Sequence, residues 1–168
     1  GNNGGDALVV ARRLSEADRA CTVLYLAAPE SFTMDTLKNY QRLQDRAKSY
    51  PHLKELNLTR SDWMNLVGQE LVGASVVVDG LFGTGLARPL EEHALGVVRM
   101  INASGVPVVS IDTPSGVNGD TGEVLGDAVR AQSTVTMGYP KLGLLFHPGK
   151  EHAGHLVVAD LGFPDEVL

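Results

Sequence analysis

Short apolar runs alternate along the chain with stretches in which apolar residues recur at helical spacing. The apolar runs predict strands at 21–26, 56–59, 75–79, 106–112, 133–137 and 156–159. The helical spacing predicts helices at 7–14, 33–49, 61–71 and 90–103. Strands that alternate with helices are joined by right-handed crossovers into a mostly parallel sheet. The pattern therefore predicts an α/β fold, a three-layer Rossmann-like domain.

Two of the predicted strands are apolar along almost their whole length and end in an aspartate. The runs at 75–79 and 106–112 close with Asp79 and Asp112, and a loop containing glycine or proline follows each of them. Continuous apolar runs are typical of parallel strands that are covered on both faces. Ligands bind such sheets outside the carboxyl ends of the strands. We therefore expect both aspartates at a ligand-binding edge.

Length and composition fit one domain over residues 1–168. The 43% hydrophobic and 20% charged residues rule out a disordered protein. A net charge of −6 argues against a general surface for nucleic acid or anionic membrane. The apolar runs are much shorter than the ~20 residues that cross a bilayer. Cys21 is the only cysteine, so no intrachain disulfide forms, and we expect a cytoplasmic protein.

The chain opens on a glycine-rich segment, and a second one follows Asp79. Residues 1–6 read Gly-Asn-Asn-Gly-Gly-Asp and run into a predicted helix, where backbone N–H groups can approach an anion. The simpler alternative is a turn with a helix cap. This first segment matches neither the G-x-G-x-x-G nor the Walker pattern. In the loop at 80–89, Thr84 and Arg88 are candidate phosphate ligands, and the alternative there is a solvated turn.

A third loop, at 111–122, carries Asp112 and Ser115. Asp112 is a candidate general acid or base, and Ser115 a candidate oxygen ligand. The alternative is that Asp112 caps a turn while Ser115 satisfies a backbone group. Lys141 follows in Tyr-Pro-Lys-Leu-Gly, where it meets a phosphate, favours the charged form of a carboxylate, or simply lies on the surface. The clustering of the three loops favours a functional site.

Five segments of the chain, taken in order, carry a more specific signal than any one of them does alone. They are GNNGGDA, VVDGLFGTGLARPL, SIDTPSGVNGDTG, STVTMGYPKLGLL and VVADLGFP. Together they resemble the YjeF N-terminal domain family, the NAD(P)H-hydrate epimerases, over essentially the whole chain. The resemblance implies an isomerase that interconverts the R and S forms of hydrated NADH and NADPH. These damaged cofactors carry a hydroxyl group on the reduced nicotinamide ring.

The resemblance also implies a set of site residues. A potassium ion is typical of the family, and Asn3, Asp79 and Ser115 fall on its ligand positions. The implied substrate-binding positions are Asn2, Asn3, Gly4, Gly5, Asp6, Gly83, Thr84, Gly85, Leu86, Ala87, Arg88, Pro89 and Asp112. We place Asp112 near the hydrated ring as the catalytic group that moves a proton, with Lys141 as its electrostatic support.

The implied partners are small molecules and a second enzyme. Hydrated NADH or NADPH is the expected substrate, and a dehydratase that accepts only the S form is expected to act next. Neither nucleic acid nor a membrane is an expected partner, and the sequence leaves a homodimer open. Two other function classes compete: a non-catalytic protein-binding module on the same fold, and another nucleotide-binding enzyme on a Rossmann-like scaffold.

The first residues of the chain lead to one further expectation, about what precedes them. In this architecture a glycine-rich segment such as 1–6 follows a central parallel strand, and the family carries a helical segment ahead of that strand. We therefore expect a strand and a helix to precede Gly1, and an open position between strands in a structure of residues 1–168 alone. Ala7 stands where the family usually has glycine.

Overall fold

The computed structural model describes residues 1–59 and 61–162, which form helices and strands in alternation. The helices are α1 Asn2–Glu16, α2 Met34–Ala47, α3 Trp63–Gly73, α4 Glu92–Ser104 and α5 Gly149–Ala153. The strands are β1 Cys21–Tyr25, β2 Leu53–Asn57, β3 Val77–Asp79, β4 Val108–Ile111, β5 Ser133–Met137 and β6 His155–Ala159. Single 3-10 turns cover Pro29–Ser31 and Leu142–Leu144.

The strands pair in parallel, as the sequence predicts. Two of them form one sheet, β1–β2, and four form another in the order β3-β4-β5-β6. Asp79 stands opposite Ser110 in the register of β3 and β4, so the carboxyl ends of these two strands lie side by side. The α/β prediction with a mostly parallel sheet is therefore confirmed. The prediction that a strand precedes Gly1 stays a prediction.

Strand β1 lies between two hydrophobic layers. Leu24 packs against the cluster that contains Val67 of α3, and the neighbouring Val23 packs against the cluster that contains Leu8 of α1 and Leu43 of α2. Successive side chains of a strand point to opposite faces, so the two clusters cover the two faces of β1. The helices therefore lie on both sides of the strands, in the three-layer arrangement that the pattern predicts.

Helix α1 begins at Asn2, five residues earlier than the sequence pattern predicts. Residues 2–6 of the glycine-rich segment thus form the first turn of the helix and the start of the second, rather than a loop in front of it. The Thr36 hydroxyl of α2 donates a hydrogen bond to the Gly1 carbonyl at 3.0 Å. A Cβ on Gly5 would lie 3.0 Å from that hydroxyl oxygen. Close packing of the two helices therefore overrides the low helix propensity of glycine.

The other differences are smaller. The predicted strand at 56–59 is the strand Leu53–Asn57, because its register with β1 starts at Cys21 opposite Leu53. Helix α5 was not predicted from the sequence. Gly105 ends α4 with a left-handed φ of 71°, as its position predicts. None of the helices among the described residues is long and apolar enough to cross a membrane.

Candidate active site

Asp79 closes β3 and is buried, with only 2% of its surface exposed. Its Oδ1 accepts a hydrogen bond from the Ser115 hydroxyl at 2.5 Å and from the Leu81 N–H at 3.3 Å. Its Oδ2 accepts from the Ser110 hydroxyl and from the Ser115 N–H, both at 2.8 Å. Burial raises the pKa of Asp79, and these four hydrogen bonds act against that rise. All four donors are neutral groups.

Asn3 and Ser115 meet at the backbone of Phe82. The Asn3 amide nitrogen donates to the Phe82 carbonyl at 2.8 Å, and the Phe82 N–H donates to the Ser115 hydroxyl at 2.9 Å. The Asn3 Oδ1 atom is buried and has no hydrogen-bond partner among the described residues. A Cβ on Gly83 would lie 3.2 Å from the Asn3 Cβ, so the loop after β3 rests directly on α1.

The structure therefore brings together the three residues on which the family resemblance places an ion. We call Asn3, Asp79 and Ser115 the oxygen cluster. An amide oxygen, a carboxylate and a hydroxyl are hard ligands that suit alkali and alkaline-earth cations. In the described part of the chain, no three His, Cys, Asp or Glu side chains converge on a common point. Asp79 is the only acidic residue of the oxygen cluster.

Asp112 and Lys141 form an ion pair at the neighbouring strand end. Asp112 follows β4 with a left-handed φ of 65°, and its N–H donates to the Val135 carbonyl at 2.7 Å. The Lys141 ammonium donates to Asp112 Oδ1 at 2.5 Å and to the Met137 carbonyl at 2.9 Å. The Met137 N–H also donates to Oδ1, at 3.2 Å. Asp112 Oδ2 accepts no hydrogen bond from the described residues, so it is the oxygen available to a ligand.

Helix α1 crosses the sheet edge close to this ion pair. A Cβ on Gly80 would lie 2.7 Å from the Ala7 Cβ and 3.5 Å from Ile111 Cδ1, so α1 and the end of β4 converge on Gly80. Asp6 and Asp112 are the chain neighbours of Ala7 and Ile111. Burial, and secondly the negative charge of Asp112, raise the pKa of Asp6. Two carboxyl groups therefore share this edge.

Thr113 is a second buried polar residue that the sequence did not single out. It is 1% exposed, and its Oγ1 has no hydrogen-bond partner in the part of the chain that the structure describes. A Cβ on Gly119 would lie 3.3 Å from Thr84 Cγ2, 3.6 Å from Lys141 Cγ and 3.7 Å from Thr113 Oγ1. The turn at Gly119 therefore brings the second loop, the third loop and Lys141 together at one place. A threonine next to Asp112 is the sequence signal that could have found this residue.

The remaining predicted binding residues differ in their contacts and exposure. Asn2 is exposed, and its Oδ1 accepts a hydrogen bond from the Thr33 hydroxyl at 2.9 Å. Gly4 packs at Gly80, whose carbonyl oxygen would lie 3.9 Å from a Cβ there. Leu86 packs against the core around α3 and α4. The exposed predicted positions of the second loop are Thr84, Gly85, Ala87, Arg88 and Pro89.

Comparison with known proteins identifies the family of the chain. Residues 1–143 match the model of the YjeF-related protein N-terminus. The chain is 46% identical, over its full length, to the bifunctional NAD(P)H-hydrate repair enzyme Nnr of Thermofilum pendens, of which it spans 31%. It is 40% identical, over 96% of its length, to the NAD(P)H-hydrate epimerase of Levilactobacillus brevis, of which it spans 69%.

A solved structure shares the fold. The crystal structure of yeast ynu0 superposes with a TM-score of 0.74 at 24% sequence identity, and the match covers 99% of this chain and 65% of the yeast chain. This likeness shows a shared fold, and the family rests on the sequence matches. The chain belongs to the family of the YjeF-related protein N-terminus.

Proposed function

We propose that this chain interconverts the R and S forms of hydrated NADH and NADPH. The observation that carries the proposal is the Asp112–Lys141 ion pair, which lies at the carboxyl edge of the parallel strands. The relatives named as an NAD(P)H-hydrate epimerase and a repair enzyme support the same substrate class. The chain then acts as an isomerase in the repair of nicotinamide cofactors.

The chemistry of the substrate sets what the site must do. Water adds to the reduced nicotinamide ring with its oxygen on a carbon next to the ring nitrogen. In the proposed route, inversion at that carbon begins when the C–O bond breaks as the hydroxyl takes a proton, while the nitrogen lone pair forms a C=N bond. Water then returns to the other face and gives up a proton. The reaction therefore needs a group that moves protons beside the ring, and no change of oxidation state.

In this proposal Asp112 moves a proton and Lys141 holds it in place. Asp112 offers its Oδ2 atom, which accepts no hydrogen bond from the described residues, while Oδ1 is fixed by Lys141 and by the Met137 N–H. Proton transfer by a positioned carboxyl group contributes about 10²–10⁴-fold to a rate. Lys141 is a positioning residue, because it acts through Asp112.

The oxygen cluster fits a potassium ion. Asn3 Oδ1 is buried without a partner, and the single buried charge of Asp79 is met only by neutral hydrogen-bond donors in the described part of the chain. We propose that Asn3, Asp79 and Ser115 hold the ion. When bound, it supplies a fixed positive charge that offsets the Asp79 carboxylate and links α1 to the two loops.

The other residues implied by the resemblance are proposed to bind the rest of the substrate. The start of α1 has no side-chain cap among the described residues, and backbone N–H groups at a helix start favour an anion such as a pyrophosphate. Arg88 is exposed in the second loop and is proposed to meet the same phosphates. The relatives named as bifunctional repair enzymes support coupling to a dehydratase that consumes the S form. A cytoplasmic location and a homodimer stay predictions.

The direct test couples the protein to an S-specific dehydratase. The R form of hydrated NADPH is the substrate, and recovery of NADPH absorbance is the readout. We expect the chain to accelerate the recovery, and we expect Asp112→Asn to lower kcat by about 10²–10⁴-fold. Asparagine tolerates the left-handed φ at this position, so the fold should stay intact by circular dichroism.

The matched control is Asp45→Asn, which removes a carboxylate whose side chain is 75% exposed on α2. This variant should keep wild-type turnover. If the folded wild-type chain gives no acceleration, the proposal fails and the protein-binding module becomes the better interpretation.

A further inference from the structure

Asp6 is a carboxyl group near the site that takes no part in the chemistry proposed for Asp112 and Lys141. It lies on α1 one helical turn after Asn3, so both residues share one face of the helix. Ala7, its neighbour, contacts the region of Gly80 where the end of β4 also arrives. The packing of α1 on the strand ends therefore places Asp6 beside the reacting edge rather than on the outer surface.

Asp6 and Asp112 sit in opposite electrostatic surroundings. Asp112 is paired with the Lys141 ammonium and receives a backbone N–H. Asp6 has no hydrogen-bond or ion-pair partner among the described residues, and burial together with the charge of Asp112 raises its pKa. Two neighbouring carboxyl groups in contrasting surroundings are the usual arrangement of an acid and a base in one active site.

A purely structural role explains Asp6 poorly. An acidic side chain stabilises a helix when it lies in the first turn, where it meets the positive end of the helix dipole. Asp6 lies in the second turn of α1, and the first turn contains no acidic residue. It also forms no ion pair that would fasten α1 to another element of the described structure. The half-buried position of Asp6 beside Asp112 therefore calls for a chemical explanation.

We propose that Asp6 is the second catalytic residue of the epimerisation, the partner of Asp112 on the other side of the ring. This inference rests on the proposed function and deepens it. In one direction Asp6 is the acid and Asp112 the base, and in the reverse direction the two exchange roles.

Every proton in the proposed step is accounted for. The protonated Asp6 gives its proton to the ring hydroxyl as the C–O bond breaks, so water leaves and the nitrogen lone pair forms the C=N bond. A water on the other face then adds its oxygen to the same carbon, and the electrons of the C=N bond return to nitrogen. Asp112 takes the proton that this water releases. Exchange with solvent returns the proton from Asp112 to Asp6, and nothing is oxidised or reduced.

The test replaces Asp6 by asparagine in the full chain. In the coupled assay with the R form of hydrated NADPH, we expect Asp6→Asn to lower kcat by about 10²–10⁴-fold. We expect its Tm to equal or exceed that of the wild type, because an unpaired, half-buried carboxyl group next to Asp112 is removed. Asp6→Glu, which keeps a carboxyl group, should retain more activity than Asp6→Asn. Asp45→Asn again serves as the matched control.

The outcomes separate this inference from the function on which it rests. If the wild type does not accelerate NADPH recovery, the proposed function itself fails. If the wild type is active and Asp6→Asn turns over within twofold of it, the role of Asp6 is overturned. If Asp6→Asn loses activity together with Tm, and Asp6→Glu is no better, Asp6 has a structural role and the inference is equally overturned.

Discussion

The buried hydroxyl group of Thr113 gives a prediction at the scale of a single residue. A buried polar group without a partner costs about 1–3 kcal/mol, and Thr113 Oγ1 is such a group within the described structure. Thr113→Val keeps the shape of the side chain and removes the hydroxyl. We expect the free energy of unfolding to rise by about 1 kcal/mol, which raises Tm by about 2–4 °C in a calorimetric scan. A lower Tm would show that the hydroxyl is satisfied by a bound water or ligand.

Single residues also show which parts of the site can be predicted from the sequence. The resemblance to the family groups Asn3, Asp79 and Ser115, whereas the sequence pattern by itself places only Asp79 and Asp112 at the ligand-binding edge. The Asp112–Lys141 contact was only one of three interpretations of Lys141, because 28 residues separate the two positions along the chain. The different electrostatic surroundings of Asp6 and Asp112 depend on where α1 crosses the strands. No local sequence pattern predicts that crossing.

Gly80 gives a prediction at the scale of an element, the docking of α1 on the strand ends. A Cβ on Gly80 would lie 2.7 Å from the Ala7 Cβ, which is closer than two carbon atoms can approach. We expect Gly80→Ala to destabilise the protein by about 1–3 kcal/mol in denaturant unfolding. The control is Gly85→Ala, where a Cβ would meet no atom within 4 Å.

The same contact predicts a rescue. Ala7→Gly alone should cost up to about 1 kcal/mol through helix propensity. Combined with Gly80→Ala it should recover part of the lost stability, with a coupling energy of about 1 kcal/mol in a double-mutant cycle. Strictly additive effects would show that α1 does not press on Gly80 in solution.

Elements with local signals were predictable, and those fixed by tertiary contacts were not. Helix α2 starts where the Thr33 hydroxyl caps it, and α4 ends at the left-handed Gly105, so the sequence contains both boundaries. The start of α1 depends on Thr36, and the position of β2 depends on its register with β1. These contacts join distant parts of the chain, so hydrophobic spacing alone cannot reveal them.

The oxygen cluster gives a prediction at the scale of the whole molecule. Its residues come from α1, the end of β3 and the loop after β4, so an ion bound there ties three parts of the fold together. A ligand at about 100 times its Kd stabilises the folded state by about 2.7 kcal/mol. We expect a higher Tm in potassium chloride than in choline chloride of equal ionic strength, and we expect Ser115→Ala to remove most of that difference. An equal Tm in both salts for the wild type would contradict the proposed ion site.

The overall architecture could be predicted from the sequence more completely than the element boundaries or the contacts of single residues. Alternating strands and helices are enough to specify parallel pairing and covered strands, and the structure has both. The division of the described strands into β1–β2 and β3–β6 has no local sequence signature. Leu24 of β1 nevertheless packs on the core formed by α3 and α4, so side-chain packing joins the two sheets.

The left-handed backbone of Asp112 makes it possible to distinguish the residue that would be best for folding from the residue that the proposed reaction needs. At φ 65° glycine fits with less strain than any L-residue, so selection for folding alone would drive this position toward glycine. Asp18 shows that an aspartate also tolerates such a φ, at 58°. On the proposed function, however, the carboxyl group of Asp112 is what disfavours glycine at this position. A relative with glycine there would then be expected to keep the architecture without the reaction, and this one position would separate enzymes from former enzymes in a genome survey.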